Sequence, residues 1–258
     1  MTEVVRRERE GRVGWLIVDH PPANALNRAV LAGLRAGLRE FESDRSLAAA
    51  VVTGAGDRFF VAGADIKEFV SDGPDATLDK IADGQRLTLE MESSRLPIVA
   101  AVNGFALGGG LELAMACDLR IASRSARLGQ PEILLGIIPG WGGTQRLPRL
   151  VGRGRALELL LSGDQVDAER ALSLGLVNRL ADPENLHREA QALAEQLGQR
   201  APLAVAAIKR AVSDGLDRPL EAALAVELSQ FDAAFRSDDA GEGIAAFLEK
   251  RSPHWAGS

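Results

Sequence analysis

The segment that predicts most about this chain is Ala100-Ala-Val-Asn-Gly-Phe-Ala-Leu-Gly-Gly-Gly-Leu-Glu112-Leu-Ala-Met-Ala-Cys-Asp118, near the middle of its 258 residues. A β-rich run, Ile98–Val102, meets three consecutive glycines and then a helical pattern. The glycines let backbone N–H groups approach a ligand closely at the start of a helix. The stretch is apolar and long enough to span a bilayer, but its central carboxylate would oppose insertion by roughly 3 kcal/mol. It is therefore predicted to form a buried strand, a tight turn and a helix.

On either side of this segment, short β-rich runs alternate with helical patterns, as is typical of an α/β protein whose helices cover a sheet. The clearest strands are predicted over Gly14–Asp19, Ala48–Thr53 and Ile98–Val102, with a surface helix over Leu26–Phe41. From about Gly152 onward, helices are predicted over 153–162, 184–199, 202–213, 219–235 and 241–250. Only Leu176–Leu180 is predicted to be a strand in that part. The Gly- and Asp-containing stretch Ser71–Gly84 is predicted to be a mobile loop.

The composition is that of an ordinary globular protein, because 46% hydrophobic and 26% charged residues allow a sizeable core. The net charge is −6 and the basic residues are scattered, so there is no electrostatic footprint for nucleic acid. The single cysteine, Cys117, cannot form an internal disulfide. The Met1–Glu10 segment lacks the apolar core of a signal peptide. A cytoplasmic protein without a nucleic-acid or membrane partner is expected.

Several familiar functional motifs are missing from the sequence. There is no Walker-type phosphate loop and no G-x-S-x-G elbow, and Gly152-Arg-Gly-Arg-Ala156 lacks the strand and the third glycine of a dinucleotide turn. The histidines share no metal-ligand spacing, and Cys117 has no Cys or His nearby. Neither a metal nor a redox cofactor is therefore expected.

Two glutamates are candidate acid and base residues, although each also has a structural explanation. Glu112 falls in the first turn of the predicted helix, where the helix dipole favours any carboxylate. Glu132 follows Pro131, and Pro-Glu is a sound helix start. Apolar residues and a Gly/Pro-rich loop flank Glu132, and such surroundings would desolvate the carboxylate and raise its pKa towards a proton-transfer role. One acid that activates water and one that delivers a proton suffice to add water across an activated double bond.

A third element is the glycine-bearing turn in Phe59-Phe-Val-Ala-Gly-Ala64-Asp-Ile-Lys67-Glu68, which is predicted to lead into a short helix. Its Ala64 N–H could converge with one from the glycine triplet on a single carbonyl oxygen. The structural alternative is a left-handed turn followed by an Asp helix cap.

Taken together, the chain resembles the crotonase (enoyl-CoA hydratase/isomerase) superfamily over nearly its full length. Several ordered motifs carry the resemblance: Pro22-Ala-Asn-Ala-Leu-Asn27, Ala62-Gly-Ala-Asp-Ile-Lys67, Ala101-Val-Asn-Gly-Phe-Ala-Leu-Gly-Gly-Gly-Leu-Glu-Leu113, Gly129-Gln-Pro-Glu132, Gly142-Gly-Thr-Gln-Arg-Leu147 and Phe247-Leu-Glu-Lys-Arg251.

The resemblance implies an α/β fold, a crotonase-type spiral of repeated ββα units over residues 1–195, with a helical C-terminal trimerisation region over 196–258. It implies acyl-CoA thioester substrates, with CoA entering as part of the substrate. The backbone N–H groups of Ala64 and Gly109 would form an oxyanion hole, each donor typically contributing about 3–4 kcal/mol. The resemblance further implies substrate-binding positions at Asn24, Ala25, Leu26, Ala62, Asp65, Ile66 and Lys67.

The pair of glutamates resembles that of the hydratases, in which Glu112 would help to activate water and Glu132 would protonate the α-carbon. Trp141 departs from many hydratases, which carry a small residue after the Pro-Gly, and its indole is expected to shorten or redirect the acyl pocket. The alternatives are an enoyl-CoA isomerase, another specialised crotonase, or a CoA-binding subunit without turnover. The resemblance also implies a homotrimer or a dimer of trimers.

Overall fold

The computed structural model describes residues 3–258, with the side chains of residues 69, 70 and 72 outside the description. Its strands are β1 (Val5–Glu10), β2 (Val13–Val18), β3 (Ala49–Gly54), β4 (Phe59–Val61), β5 (Ile98–Val102), β6 (Phe105–Leu107), β7 (Leu119–Ser123), β8 (Arg127–Gly129), β9 (Gln165–Asp167) and β10 (Arg179–Ala181). Its helices are α1 (Arg28–Ser43), α2 (Ile66–Glu92), α3 (Gly109–Met115), α4 (Gly143–Val151), α5 (Arg153–Ser162), α6 (Ala168–Leu174), α7 (Leu186–Gly198), α8 (Pro202–Gly215), α9 (Leu220–Phe235) and α10 (Asp238–Glu249).

The strands form two sheets, and the chain alternates between them. The larger sheet has the order β1-β2-β3-β5-β7-β10, and the smaller one has the order β4-β6-β8-β9. Strands β3, β5 and β7 are each followed by a strand of the smaller sheet, and β4 and β6 then lead into helices α2 and α3. The predicted spiral of ββα units is therefore confirmed.

The central strands of the larger sheet are buried on both faces, which explains why they read as continuous apolar runs. One face packs in the main core with α1 and α2, and the other is covered by α7 through Leu186, Ala190 and Leu193. The predicted domain boundary at 195/196 falls inside α7, which ends at Gly198.

Two predictions about local structure are wrong. Ser71–Gly84 is not a loop, because α2 runs through the stretch as two helical segments that meet at Gly73, whose φ of 73° and ψ of 174° are not helical. The first segment, 66–72, is the short helix predicted after the Ala64 turn. The buried side chains of Leu87 and Met91 anchor the second half of α2 in the core. In addition, the strand predicted over Leu176–Leu180 is not the only one after Gly152, because β9 precedes it. The strand observed near the predicted position is β10.

Helices α8 to α10 expose large apolar side chains, several of them more than half exposed: Ile208, Leu224, Leu228, Phe231, Phe235, Phe247 and Leu248. An apolar groove of about 710 Å³ lies between these helices. Within the described residues, no helix is long and apolar enough to cross a membrane.

Candidate active site

Two glycine turns meet at the N-terminal end of α3. Gly63 has a φ of 100° and Gly108 a φ of 52°, conformations that residues with a Cβ rarely adopt. A methyl group at Gly108 would stand 3.8 Å from the Cα of Gly63, so the two turns are adjacent. Each turn is followed by one of the predicted donors, Ala64 or Gly109.

The Ala64 N–H points away from the neighbouring chain segment. Leu26 donates its N–H to Gly63 O at 2.9 Å and accepts from Asp65 N at 2.9 Å. Because successive N–H groups of an extended segment point in opposite directions, the Ala64 N–H between these two bonds faces the other side. Ala64 and Gly109 line the same cavity, and neither N–H is bonded to another of the described residues.

Glu112 lies in the first turn of α3 and is 1% exposed. Its Oε1 accepts hydrogen bonds from the N–H groups of Trp141 at 2.7 Å and Gly143 at 2.6 Å. Burial raises the pKa of the Glu112 carboxyl above its usual value, and these two hydrogen bonds and the charge of Arg146 offset only part of that rise. The hydrogen bonds favour the ionised form and fix the direction of the carboxylate.

Glu132 lies in a 3₁₀ turn, Pro131–Leu135, and its Oε1 packs against Gly108. Within the described residues, its buried Oε2 has no hydrogen-bond partner. Burial raises the pKa of Glu132 to about 7, and the negative charge of Glu112 acts in the same direction. The two carboxyl groups thus differ in their surroundings: one oxygen of Glu112 is held by two backbone donors, whereas one oxygen of Glu132 is buried without a partner among the described residues.

These groups surround one cavity of about 180 Å³. It is lined by both glutamates, by both predicted donors and by one aromatic residue: Glu112, Glu132, Ala64, Gly109 and Trp141. The remaining wall is mainly apolar, with contributions from Ile66, Ile81, Leu107, Leu135, Ile137 and Ile138. An apolar wall strengthens every electrostatic interaction inside the cavity.

The structure separates the other predicted substrate-binding residues into two groups. Ala62 and Ile66 line the cavity. Asn24, Ala25, Leu26, Asp65 and Lys67 do not line it.

Four of these five have clear positions outside the cavity. The side chain of Asn24 is buried and bonded to the backbone, donating to Phe59 O at 2.9 Å. Ala25 O accepts from the His20 ring at 2.8 Å. Asp65 caps α2 by accepting from Lys67 N at 3.0 Å, as the structural alternative for this turn predicted, and the Lys67 side chain is exposed.

Sequence reasoning missed the residues that hold the site in place. Arg146 donates to Trp141 O at 2.7 Å and forms a bidentate pair with Glu92 at 2.6 and 2.9 Å. Gln130 is fully buried and donates to Gly108 O at 3.2 Å. Arg146 and Gln130 both lie in the motifs quoted for the resemblance. A charged and a polar side chain within those motifs were the available signal that these residues support the site.

The arrangement suits acid–base chemistry next to a carbonyl group. Two backbone donors could stabilise negative charge on one oxygen, while two carboxyl groups with different hydrogen-bond partners face the same small space. Among the described residues, no three His, Cys, Asp or Glu side chains are grouped to hold a metal ion.

Comparisons with known proteins agree with this chemistry. The family model described as enoyl-CoA hydratase/isomerase matches residues 8–258. The chain is 42% identical to the short-chain-enoyl-CoA hydratase of Clostridium acetobutylicum over 95% of this chain and 94% of that protein. It is 41% identical to the crotonyl-CoA hydratase of Syntrophomonas wolfei over 96% of each chain. Its structure is similar to that of an enoyl-CoA hydratase from Bacillus anthracis, with a TM-score of 0.95 and 36% identity over 99% of this chain and 100% of that one.

Proposed function

Because this chain belongs to the enoyl-CoA hydratase/isomerase family, we propose that it is an enoyl-CoA hydratase, which adds water reversibly to a trans-2-enoyl-CoA to give a 3-hydroxyacyl-CoA. The observation that carries this function is the pair of differently tuned glutamates, Glu112 and Glu132, in one cavity with two backbone donors. Both relatives are named for short acyl groups, which supports a short acyl group for this chain.

The thioester oxygen would accept the N–H groups of Ala64 and Gly109. When water attacks the β-carbon, negative charge moves through the α-carbon onto this oxygen, and each preorganised donor stabilises it by about 3–4 kcal/mol. Binding the oxygen also places the α- and β-carbons within the cavity that both glutamates line.

Glu112 would act as the base. Its Oε1 is occupied by two N–H groups, which leaves Oε2 to accept a proton from the attacking water. As the carbon–oxygen bond forms at the β-carbon, Glu132 would donate its proton to the α-carbon. The reaction ends with Glu112 protonated and Glu132 ionised, and a proton exchange with solvent restores the starting state.

The two alternatives are less well supported. A proton shuttle in an isomerase needs one acid, which would leave the buried Glu112 with a structural role only. A CoA-binding subunit without turnover would have no use for a carboxyl group whose pKa is raised to about 7. The mechanism needs no metal or redox cofactor. The cytoplasmic location stays a prediction.

An assay of the wild-type protein with crotonyl-CoA tests the function. We expect the absorbance of the conjugated enoyl thioester to fall while mass spectrometry detects a product heavier by one water. The active form of the glutamate pair carries one proton, and this proton leaves Glu132 at a pKa of about 7. Activity should therefore be lost as the pH rises through about 7. Consumption of a 3-enoyl-CoA faster than of the conjugated substrate would instead indicate an isomerase.

The proposed assembly is a homotrimer or a dimer of trimers, built through the C-terminal helices. The exposed apolar side chains of α8 to α10 line an apolar groove, and exposed apolar patches commonly mark protein–protein interaction sites. Sedimentation at micromolar concentration should give three or six times the mass of one chain. A monomer under these conditions would contradict the proposal.

A further inference from the structure

Trp141 occupies a position from which it can set the length of the acyl group. Its backbone is fixed on both sides: the N–H donates to Glu112 Oε1 at 2.7 Å, and the carbonyl accepts from Arg146 at 2.7 Å. The preceding residue, Gly140, accepts from the Gln85 side chain at 2.7 Å. The indole is therefore attached to the backbone that orients the catalytic base.

The indole is wedged between two helices and is 2% exposed. On one side it lies so close to Gly84 of α2 that a methyl group there would overlap the ring. On the other side, a methyl group at Gly109 would stand 3.6 Å from Cε3. Because residue 84 is a glycine, the ring has room here. The indole of Trp141 therefore fills the space between α2 and α3.

A second cavity also has Trp141 in its wall. It has a volume of about 550 Å³ and is bounded by α2, α4 and α8, with an apolar part formed by Leu89, Val212 and Leu216. Within the described residues, Trp141 is the one residue that lines both this cavity and the reaction cavity of about 180 Å³. Trp141, the partition, is thus the wall residue that the two cavities have in common.

We propose that Trp141 restricts the enzyme to short acyl groups by closing the reaction cavity off from this second cavity. The proposal rests on the hydratase function above. The reaction cavity is smaller than the roughly 300–1,000 Å³ of most ligand pockets, so it has little room beyond the reacting carbons. With the indole removed, the acyl chain can continue past α3 along Leu89 and Val212 of the second cavity.

The test compares trans-2-enoyl-CoA substrates of four and twelve carbons in the wild type and in Trp141→Ala. We expect the ratio of kcat/KM for the twelve-carbon substrate to that for the four-carbon substrate to rise at least about tenfold, because pocket space for even one methylene shifts specificity by that order. Trp141→Leu, which retains an apolar side chain, should raise the ratio less and serves as the second variant if the alanine variant does not fold.

A matched pair of variants tests the second cavity itself. Ser213 lines that cavity on α8, away from the reaction cavity. Ser213→Leu in the Trp141→Ala background should refill the space and lower the ratio again. The same substitution in the wild type should leave the ratio unchanged, because the indole already closes the passage.

Calorimetric binding of saturated butanoyl-CoA and dodecanoyl-CoA separates this inference from the proposed function. If the wild type hydrates no enoyl-CoA, the proposed hydratase function is refuted. The ratio of the dissociation constants for the two saturated acyl-CoAs still tests the partition. A wild type that prefers the short chain and a Trp141→Ala variant that gains affinity for the long chain support the partition. The proposal would be overturned if the twelve-carbon to four-carbon ratio changes less than about threefold in Trp141→Ala. It would also be overturned if the wild type accepts both chain lengths equally.

Discussion

Replacing Glu132 by glutamine is expected to lower kcat for crotonyl-CoA hydration by roughly 10²–10⁴-fold, the usual contribution of a positioned general acid. Glutamine has nearly the same shape but cannot deliver a proton to the α-carbon. Binding of the thioester should change little, because the donors of Ala64 and Gly109 are backbone groups. Steady-state kinetics should therefore show the loss in kcat rather than in KM.

The chain contains a matched control for this substitution. Glu184 also follows a proline at the start of a 3₁₀ turn, Pro183–Asn185, but it is exposed and far from the cavity residues in sequence. Glu184→Gln should keep wild-type turnover. Glu132→Gln should also keep its melting temperature, since the buried Oε2 of Glu132 has no partner to lose. Wild-type turnover by Glu132→Gln would refute its role as the acid.

Replacing Glu112 by glutamine should lower kcat by a similar roughly 10²–10⁴-fold factor, because the base for the attacking water is lost. The amide oxygen can still accept the N–H groups of Trp141 and Gly143, so the fold and the loop should be retained. Steady-state kinetics check the loss of kcat, and thermal denaturation checks that the fold is retained. A variant that hydrates crotonyl-CoA at the wild-type rate would exclude Glu112 as the base.

Glu112→Ala separates the chemical role from the structural one. Alanine leaves two buried N–H groups without an acceptor, and each such group costs about 1–3 kcal/mol of unfolding free energy. Glu112→Ala should therefore be both inactive and less stable, in contrast to Glu112→Gln. As a control, Glu169→Gln changes an exposed acid in the first turn of α6, where neither stability nor turnover should respond.

The local elements around the site could be predicted from sequence because they depend on short-range patterns. The strand, glycine turn and helix predicted between Ile98 and Met115 are observed, with the short strand β6 in addition. The five helices predicted after Gly152 are also observed as α5 and α7 to α10, whereas α6 is not predicted. The stretch Ser71–Gly84 failed for the complementary reason. Its Gly and Asp residues favour a loop locally, but α2 continues because buried residues farther along it, such as Leu87, pack in the core.

The sequence by itself determined the alternation of strands and helices, the two glycine turns and the presence of two acids near them. It left Glu112 and Glu132 equally explicable as helix-start residues. Only the tertiary structure decided how they differ, because the groups that tune Glu112 come from Trp141 and Gly143, about thirty positions later in the chain. A pKa depends on burial and on such partners, and the partition formed by Trp141 depends on Gly84 of another helix. Neither can be read from neighbouring residues, because both arise where distant segments pack together.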